Sequence, residues 1–127
     1  MEKRDFDVLI VDDEKDVLHL AGDYLRANGF TVLTAMDADR AMRQLDENKV
    51  AILILDVNLA GENGLSLMKF IKPNHPDIPI IIYTGLTHDD KQVKAMLANG
   101  ANCYVDKSQP KEALLFAVRE LHPRKSD

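Results

Sequence analysis

The chain has 127 residues, which suits one domain with a single core, and 46% of them are hydrophobic and 29% charged, as in ordinary globular proteins. A net charge of −5 argues against direct nucleic-acid binding, and no apolar run reaches the roughly 20 residues of a membrane span. The single cysteine, Cys103, excludes an internal disulfide and points to a reducing compartment, so we expect a cytoplasmic protein.

Short apolar segments rich in β-branched residues alternate with segments of helical periodicity. The predicted strands cover residues 8–11, 30–35, 51–55, 78–83 and 101–105. A helix is predicted after each strand. The first closes at Gly29, the second has its apolar positions between 38 and 45, the third follows Gly64, the fourth ends at Gly100, and the fifth ends near residue 122.

The predicted strands are continuously apolar, which indicates a sheet covered by helices on both faces. Repeated strand–helix units of this kind form a parallel sheet with right-handed crossovers, and five strands are too few for a closed eight-stranded barrel. We therefore predict an α/β fold, a flavodoxin-like (βα)5 three-layer sandwich with strand order 2-1-3-4-5. One domain is expected over residues 1–127, with 123–127 as a tail.

Several local predictions accompany this fold. Pro110 suits the first turn of the last helix, and Thr87 with Asp90 resembles a capping box. Cys103 is expected to be a small buried hydrophobe. The histidines show no metal-ligand spacing and are predicted to lie on the surface: His19, His75, His88 and His122.

Polar residues stand where the predicted strands end, and they are Asp12, Asp13, Asp56, Thr84, Gly85 and Lys107. Open α/β sheets bind ligands at the carboxyl ends of their strands, so we expect these residues on one rim. Three carboxylates at one site repel each other unless a cation offsets them, and oxygen-only ligands favour Mg²⁺. Lys107 and the Thr84 hydroxyl can hold phosphoryl oxygens. The set therefore predicts phosphoryl transfer with an aspartate as nucleophile.

Four motifs support a more specific interpretation: VDDE at 11–14, LILDVNLAGENG at 53–64, YTG at 83–85 and GANCYVDKS at 100–108. With these motifs, in this order, the chain resembles the receiver domains of two-component response regulators along essentially its whole length. The resemblance implies that Asp56 accepts a phosphoryl group from a phosphohistidine, on a sensor kinase or a phosphotransfer protein, in a Mg²⁺-dependent reaction. It also implies a signalling protein rather than an enzyme that turns over an external substrate.

The resemblance assigns a role to each residue of the rim. The implied ligands of Mg²⁺ are Asp13, Asp56, the backbone carbonyl of Asn58 and, through a metal-bound water, Asp12. The implied phosphoryl-binding groups are the side chains of Lys107 and Thr84 and the backbone N–H groups of Val57 and Gly85.

A switch follows from the added charge of a phosphoryl group on Asp56. Thr84 would move toward that group and let Tyr104 turn inward. The surface of the fourth helix, fifth strand and fifth helix would then change, and an output domain or partner protein would read it. Leu115 and Phe116 widen the apolar face of the fifth helix, which fits either a broad core face or a dimer or partner surface.

Two positions depart from the family pattern. Ala60 and Ser108 stand where receivers usually have proline, and the second of those prolines usually follows Lys107 through a cis bond. A non-proline cis bond costs about 2.5–4 kcal/mol, so either this bond is trans and Lys107 shifts, or the fold tolerates the strain. We therefore expect slower or weaker phosphorylation than in a typical receiver.

Three other functions compete with this interpretation. One is an interaction module that keeps the receiver fold and acts without phosphorylation. Another is a haloacid-dehalogenase-like phosphatase, although that class needs a second aspartate where this chain has Asn58. A flavin-binding flavodoxin is the third, but no phosphate loop rich in Ser, Thr and Gly follows the first strand.

Overall fold

A computed structural model describes residues 3–59, 61–85 and 90–123 of the chain. The elements, in chain order, are β1 (Arg4–Val11), α1 (Lys15–Ala27), β2 (Val32–Ala35), α2 (Ala38–Glu47), β3 (Asn48–Leu55), β4 (Asn58–Leu59), β5 (Glu62–Asn63), α3 (Gly64–Asn74), β6 (Ile80–Thr84), α4 (Asp90–Ala98), β7 (Cys103–Asp106) and α5 (Lys111–Leu121). Within these described residues, no helix has both the length and the apolar content that a membrane crossing requires.

Five parallel strands form the main sheet in the order β2-β1-β3-β6-β7. Because β6 and β7 are the fourth and fifth strands of the prediction, the predicted order 2-1-3-4-5 is confirmed. β1 and β3 are neighbours, with Val11 paired to Leu55 at their carboxyl ends. The residues that follow these two strands, Asp12 and Asp56, are therefore brought to the same part of the rim.

Two hydrophobic cores cover the two faces of the sheet. In β3, Leu53 and Leu55 pack into the core beneath α2, α3 and α4, whereas Ile52 and Ile54 pack into the core beneath α1 and α5. All four side chains are at most 1% exposed. A strand with both faces buried needs apolar residues at every position, which explains the continuous run in the sequence.

A two-stranded hairpin follows Asp56 and was not predicted. β4 pairs with β5 in antiparallel register, and Gly61 between them has a φ of +75°, a conformation that glycine adopts without strain. Asn63 then caps α3, its side-chain oxygen accepting a hydrogen bond from the Ser66 N–H at 2.8 Å. The predicted departure at Ala60 lies outside the described residues.

Gly64 fits tightly between the start of α3 and the end of β3. Its N–H donates to the Val57 carbonyl at 2.6 Å, and a Cβ at this position would overlap with the carbonyl oxygen of Asp56. A glycine here lets α3 start directly against the backbone that carries Asp56.

The prediction that His122 is a surface residue was wrong. Its side chain is 4% exposed, and its Nε2 lies 2.7 Å from Oδ1 of Asp7 in β1. Oδ2 of Asp7 accepts hydrogen bonds from the N–H of Thr31 at 2.8 Å and from its hydroxyl at 3.1 Å. The ring also packs against Phe30 at 5.9 Å. This network ties the carboxyl end of α5 to β1 and to Thr31, which directly precedes β2. It lies away from the carboxyl ends of the strands, where Asp56 is found.

Other local predictions had mixed outcomes. Pro110 is the N-cap residue of α5, one position before the first turn in which it was predicted. His19 is exposed, as predicted, whereas His75 is half-buried. Thr87 and His88 lie outside the described residues.

The two residues that widen the apolar face of α5 differ in burial. Leu115 is buried in the core, whereas Phe116 is 65% exposed. The core face of α5 therefore includes Leu115, and Phe116 lies on the outer surface.

A matched pair of glycine substitutions tests the contact at Gly64. We expect Gly64→Ala to lower the free energy of unfolding by about 2 kcal/mol, because the new methyl group overlaps with backbone rather than with a flexible side chain. Gly22→Ala, inside α1, places its methyl group no closer than 3.4 Å to any neighbour and should raise stability by up to about 1 kcal/mol. Urea unfolding measures the free energy of unfolding of both variants. Equal effects of the two substitutions would contradict the tight backbone contact at Gly64.

Candidate functional site

A cavity of about 350 Å³ opens at the carboxyl ends of the central strands. Its lining residues are Asp13, Glu14, Asp56, Asn58, Thr84, Gly85 and Lys107. Five of these were singled out from strand ends in the sequence, and Asn58 was added from the resemblance. Glu14 enters the sequence analysis only as the last residue of the VDDE motif, although it directly follows the Asp12–Asp13 pair.

Lys107 joins the acids of two different strands. Its Nζ lies 2.7 Å from Oδ2 of Asp12 and 3.1 Å from Oδ2 of Asp56. The side chains of all three residues are largely buried, so these ion pairs are screened little by solvent. Lys107 therefore offsets part of the repulsion between two carboxylates that follow neighbouring strands.

Asp12 is the most buried acid of the site, with 1% exposure. Burial raises the pKa of its carboxyl to about 6, although hydrogen bonds from Lys107 and from the Glu14 N–H act in the opposite direction. The Glu14 N–H donates to Oδ1 of Asp12 at 2.9 Å. Both oxygens of Asp12 thus face protein donors beneath the cavity rather than the cavity itself.

The same surroundings also affect the pKa of Lys107. Burial by itself would lower the pKa of its ammonium group. The hydrogen bond and charge of Asp12, together with those of Asp56, outweigh this effect and raise the pKa above its usual value. The ammonium group therefore stays charged at neutral pH.

Both oxygens of Asp56 are also engaged. Oδ1 accepts a hydrogen bond from the Val57 N–H at 2.7 Å, and Oδ2 accepts one from Lys107. The residue is 5% exposed, yet it lines the cavity. The carboxylate is thus held in one orientation with an open space beside it.

The three acids of the rim form a group that suits a cation. Asp12, Asp13 and Asp56 each offer a carboxylate oxygen, and these oxygens lie within 4.8 Å of one another. Asp13 is the most exposed of the three. The donors are all oxygens and carry more negative charge than Lys107 alone offsets, which fits a hard divalent ion such as Mg²⁺.

Thr84 and Gly85 form the wall of the cavity at the end of β6. Thr84 is 4% exposed, and its carbonyl accepts the Lys107 N–H at 3.0 Å. A Cβ at Gly85 would lie 3.5 Å from Cδ of Lys107, an ordinary contact distance. Space therefore does not require a glycine at this position.

The turn after Lys107 does not use a cis bond, since no peptide bond in the described ranges is cis. Oδ1 of Asp106 accepts hydrogen bonds from the N–H and from the hydroxyl of Ser108, both at 2.8 Å. A proline could not make the first of these bonds because it lacks an N–H. The bond is thus trans, and Lys107 nevertheless reaches both acids.

Tyr104 faces away from the cavity. It is 40% exposed, and its hydroxyl donates to Oδ2 of Asp106 at 3.1 Å. Asp106 was missed in the sequence, although residues two apart on a strand point to the same side. The sequence signals for Asp106 were its two-residue spacing from Tyr104 and its position directly before Lys107.

Comparisons with known proteins agree with the fold. The family model described as a response regulator receiver domain matches residues 8–119. The nitrogen assimilation regulatory protein NtrX of Azorhizobium caulinodans is 34% identical over 103 residues, which cover 80% of this chain and 22% of that protein. The transcriptional regulatory protein PrrA of Mycobacterium tuberculosis is 32% identical over 118 residues, which cover 93% of this chain and 50% of that protein.

A solved structure agrees as well. The receiver domain of NtrX from Brucella abortus superposes with a TM-score of 0.86 at 28% identity, covering 91% of this chain and 97% of that one. The chain spans half or less of the length of the two curated relatives named above.

Removal of the Asp12 charge tests the electrostatics of the site. A raised pKa means that the folded state binds a proton more tightly than the unfolded state, so the contribution of Asp12 to stability in EDTA should fall by about 2 kcal/mol as the pH rises from 4 to 7. The raised pKa of Lys107 contributes nothing to this change, because that group stays protonated throughout the range. Asp12→Asn keeps an acceptor for Lys107 and should be more stable than the wild type at pH 7.

Chemical unfolding at several pH values measures this effect. Asp77→Asn, which removes an exposed acid far from the rim, is the charge-matched control and should follow the wild-type curve. An Asp12→Asn variant less stable than the wild type at pH 7 in EDTA would contradict the assignment.

Proposed function

We propose that this chain, which belongs to the response regulator receiver domain family, accepts a phosphoryl group on Asp56 from a phosphohistidine. As a receiver domain, the chain is a signalling domain of two-component systems. The observation that carries the proposal is the buried carboxylate of Asp56, held between the Lys107 ammonium and the Val57 N–H beside an open cavity.

The proposed reaction is an in-line displacement. An oxygen of Asp56 attacks phosphorus, the P–N bond of the phosphohistidine breaks, and its electron pair returns to the imidazole nitrogen. Lys107 lies 3.1 Å from Asp56 and pairs with an oxygen of the incoming group. The Thr84 hydroxyl and the N–H groups of Val57 and Gly85 supply further donors at the same rim.

The residues of the rim suit Mg²⁺, which offsets the negative charge of the carboxylates and phosphoryl oxygens when bound. Asp13, Asp56 and the backbone carbonyl of Asn58 would hold it. Asp12 would support the ion indirectly, through water, because its two oxygens already accept hydrogen bonds from Lys107 and from the Glu14 N–H.

The proposed output is a change at the surface formed by α4, β7 and α5. Thr84 moves toward the phosphoryl group and Tyr104 turns inward. A groove on this surface is lined by Tyr104, Ala113, Phe116 and Leu121 among others, and Phe116 is well exposed. An output domain, a partner protein or a second copy of the chain can read such an apolar surface.

The partners follow from the family. A sensor histidine kinase or a histidine phosphotransfer protein is the proposed donor. The names of the relatives, a nitrogen assimilation regulator and a transcriptional regulator, support a regulatory output in a longer protein. The free thiol of Cys103 supports a reducing, cytoplasmic location.

Substitution of the acceptor tests the function. Wild-type protein treated with acetyl phosphate and Mg²⁺ should gain the mass of one phosphoryl group, and Asp56→Asn should gain none, because the amide is not a nucleophile. Intact-protein mass spectrometry measures the gain, with Asp77→Asn as the control that should behave as wild type. A wild-type protein with no gain would favour an interaction module that acts without phosphorylation, and steady release of phosphate from a generic ester would favour a phosphatase.

Binding of Mg²⁺ separates the roles of the two neighbouring acids. Asp13→Asn removes a direct ligand and should abolish measurable binding. Asp12→Asn removes a group that acts through water and should weaken binding by roughly tenfold. Titration calorimetry without a phosphoryl donor measures both, and stronger loss in Asp12→Asn than in Asp13→Asn would reverse the assigned roles.

A further inference from the structure

Tyr104 is held on the outer side of β7 by a hydrogen bond within its own strand. Its hydroxyl donates to Oδ2 of Asp106 at 3.1 Å, and the residue is 40% exposed. Asp106 lies two positions along the strand and therefore on the same side as Tyr104.

The carboxylate of Asp106 is itself fixed in position. Its Oδ1 accepts two hydrogen bonds from Ser108, one from the N–H and one from the hydroxyl, each at 2.8 Å. The Asp106 N–H donates to the side-chain oxygen of Gln109 at 3.1 Å. One oxygen therefore holds the turn in place, and the other is presented to Tyr104 in a fixed orientation.

The register of the sheet places this bond next to the proposed switch residue. β7 pairs with β6 so that Tyr104 lies opposite Ile82 and Asp106 lies opposite Thr84. Tyr104 is thus the diagonal neighbour of Thr84 on the same face of the sheet. The proposed rotation of the Tyr104 ring toward Thr84 carries its hydroxyl away from its present position, 3.1 Å from Oδ2 of Asp106.

We propose that Asp106 is a latch that holds Tyr104 in its outward orientation and so sets the fraction of unphosphorylated molecules in the switched state. This inference rests on the proposed function, in which Thr84 and Tyr104 form the switch. Linkage then requires that any change that favours the inward ring also favours binding of a phosphoryl group at Asp56, by the same factor.

Two substitutions break the latch from opposite sides. Tyr104→Phe removes the donor hydroxyl but leaves the Asp106–Ser108 turn intact. Asp106→Ala removes the acceptor but keeps the tyrosine. Ser108→Ala is the matched control, because it removes a hydrogen bond to the other oxygen, Oδ1, and leaves the bond to Tyr104 in place.

The first measurement uses protein without any phosphoryl donor. NMR contacts between the ring of residue 104 and the Thr84 methyl group report the inward orientation. We expect these contacts to increase several-fold in Tyr104→Phe and in Asp106→Ala, and to stay at the wild-type level in Ser108→Ala. Unchanged contacts in Asp106→Ala would overturn the latch. This outcome does not depend on whether Asp56 can be phosphorylated.

The second measurement is the equilibrium binding of beryllofluoride, a phosphoryl analogue, in the presence of Mg²⁺. Loss of this exposed hydrogen bond should tighten binding by roughly 3- to 10-fold in either variant. The double variant should gain nothing further, because both changes remove the same bond. Additive effects in the double variant, or weaker binding in Asp106→Ala, would overturn the latch.

The two measurements separate this inference from the proposed function. If wild-type protein binds no analogue while Asp106→Ala still shows the inward ring, the proposed phosphorylation fails and the latch stands. If wild-type protein binds the analogue and neither variant changes the ring contacts or the affinity, the latch fails and the proposed phosphorylation stands.

Discussion

The ion pairs of Lys107 link the buried acids at the carboxyl ends of the central strands. One ammonium group, at the end of the edge strand β7, contacts carboxylates that follow the two central strands β1 and β3. Burying Asp12 is costly, as its raised pKa indicates, and Lys107 offsets only part of the cost. The rim therefore carries an excess of negative charge, which favours the binding of a divalent cation.

Much of the fold and of the rim could be predicted from the sequence, because both are encoded locally. Continuous apolar runs such as that before Asp56 identify buried parallel strands, and the first polar residue after each run marks a strand end. The strand order then brings distant residues such as Asp12 and Lys107 together. Neither the spacing of these two residues in the chain nor their residue types alone would have predicted this contact.

The features that were missed depend on contacts that the periodicity does not encode. His122 is buried because Asp7 accepts its hydrogen bond from 115 positions earlier in the chain. The hairpin after Asp56 consists of two-residue strands, which are too short to produce a pattern. Asp106 was overlooked because a carboxylate beside a lysine near a strand end is commonly an exposed residue. The hydrogen bonds that Asp106 accepts from Tyr104 and Ser108 distinguish it in the structure.

The network at His122 has a mechanical consequence for α5. This helix of 11 residues is about 16 Å long. Its carboxyl end, the far end from the rim, is anchored to β1 through His122 and Asp7. Its amino end, the near end, adjoins the turn at Asp106 and Gln109. A displacement that begins at the rim would therefore tilt the helix about a pivot at His122 rather than slide it along its axis. The near end of the helix would travel furthest, and the residues beside the pivot would hardly move.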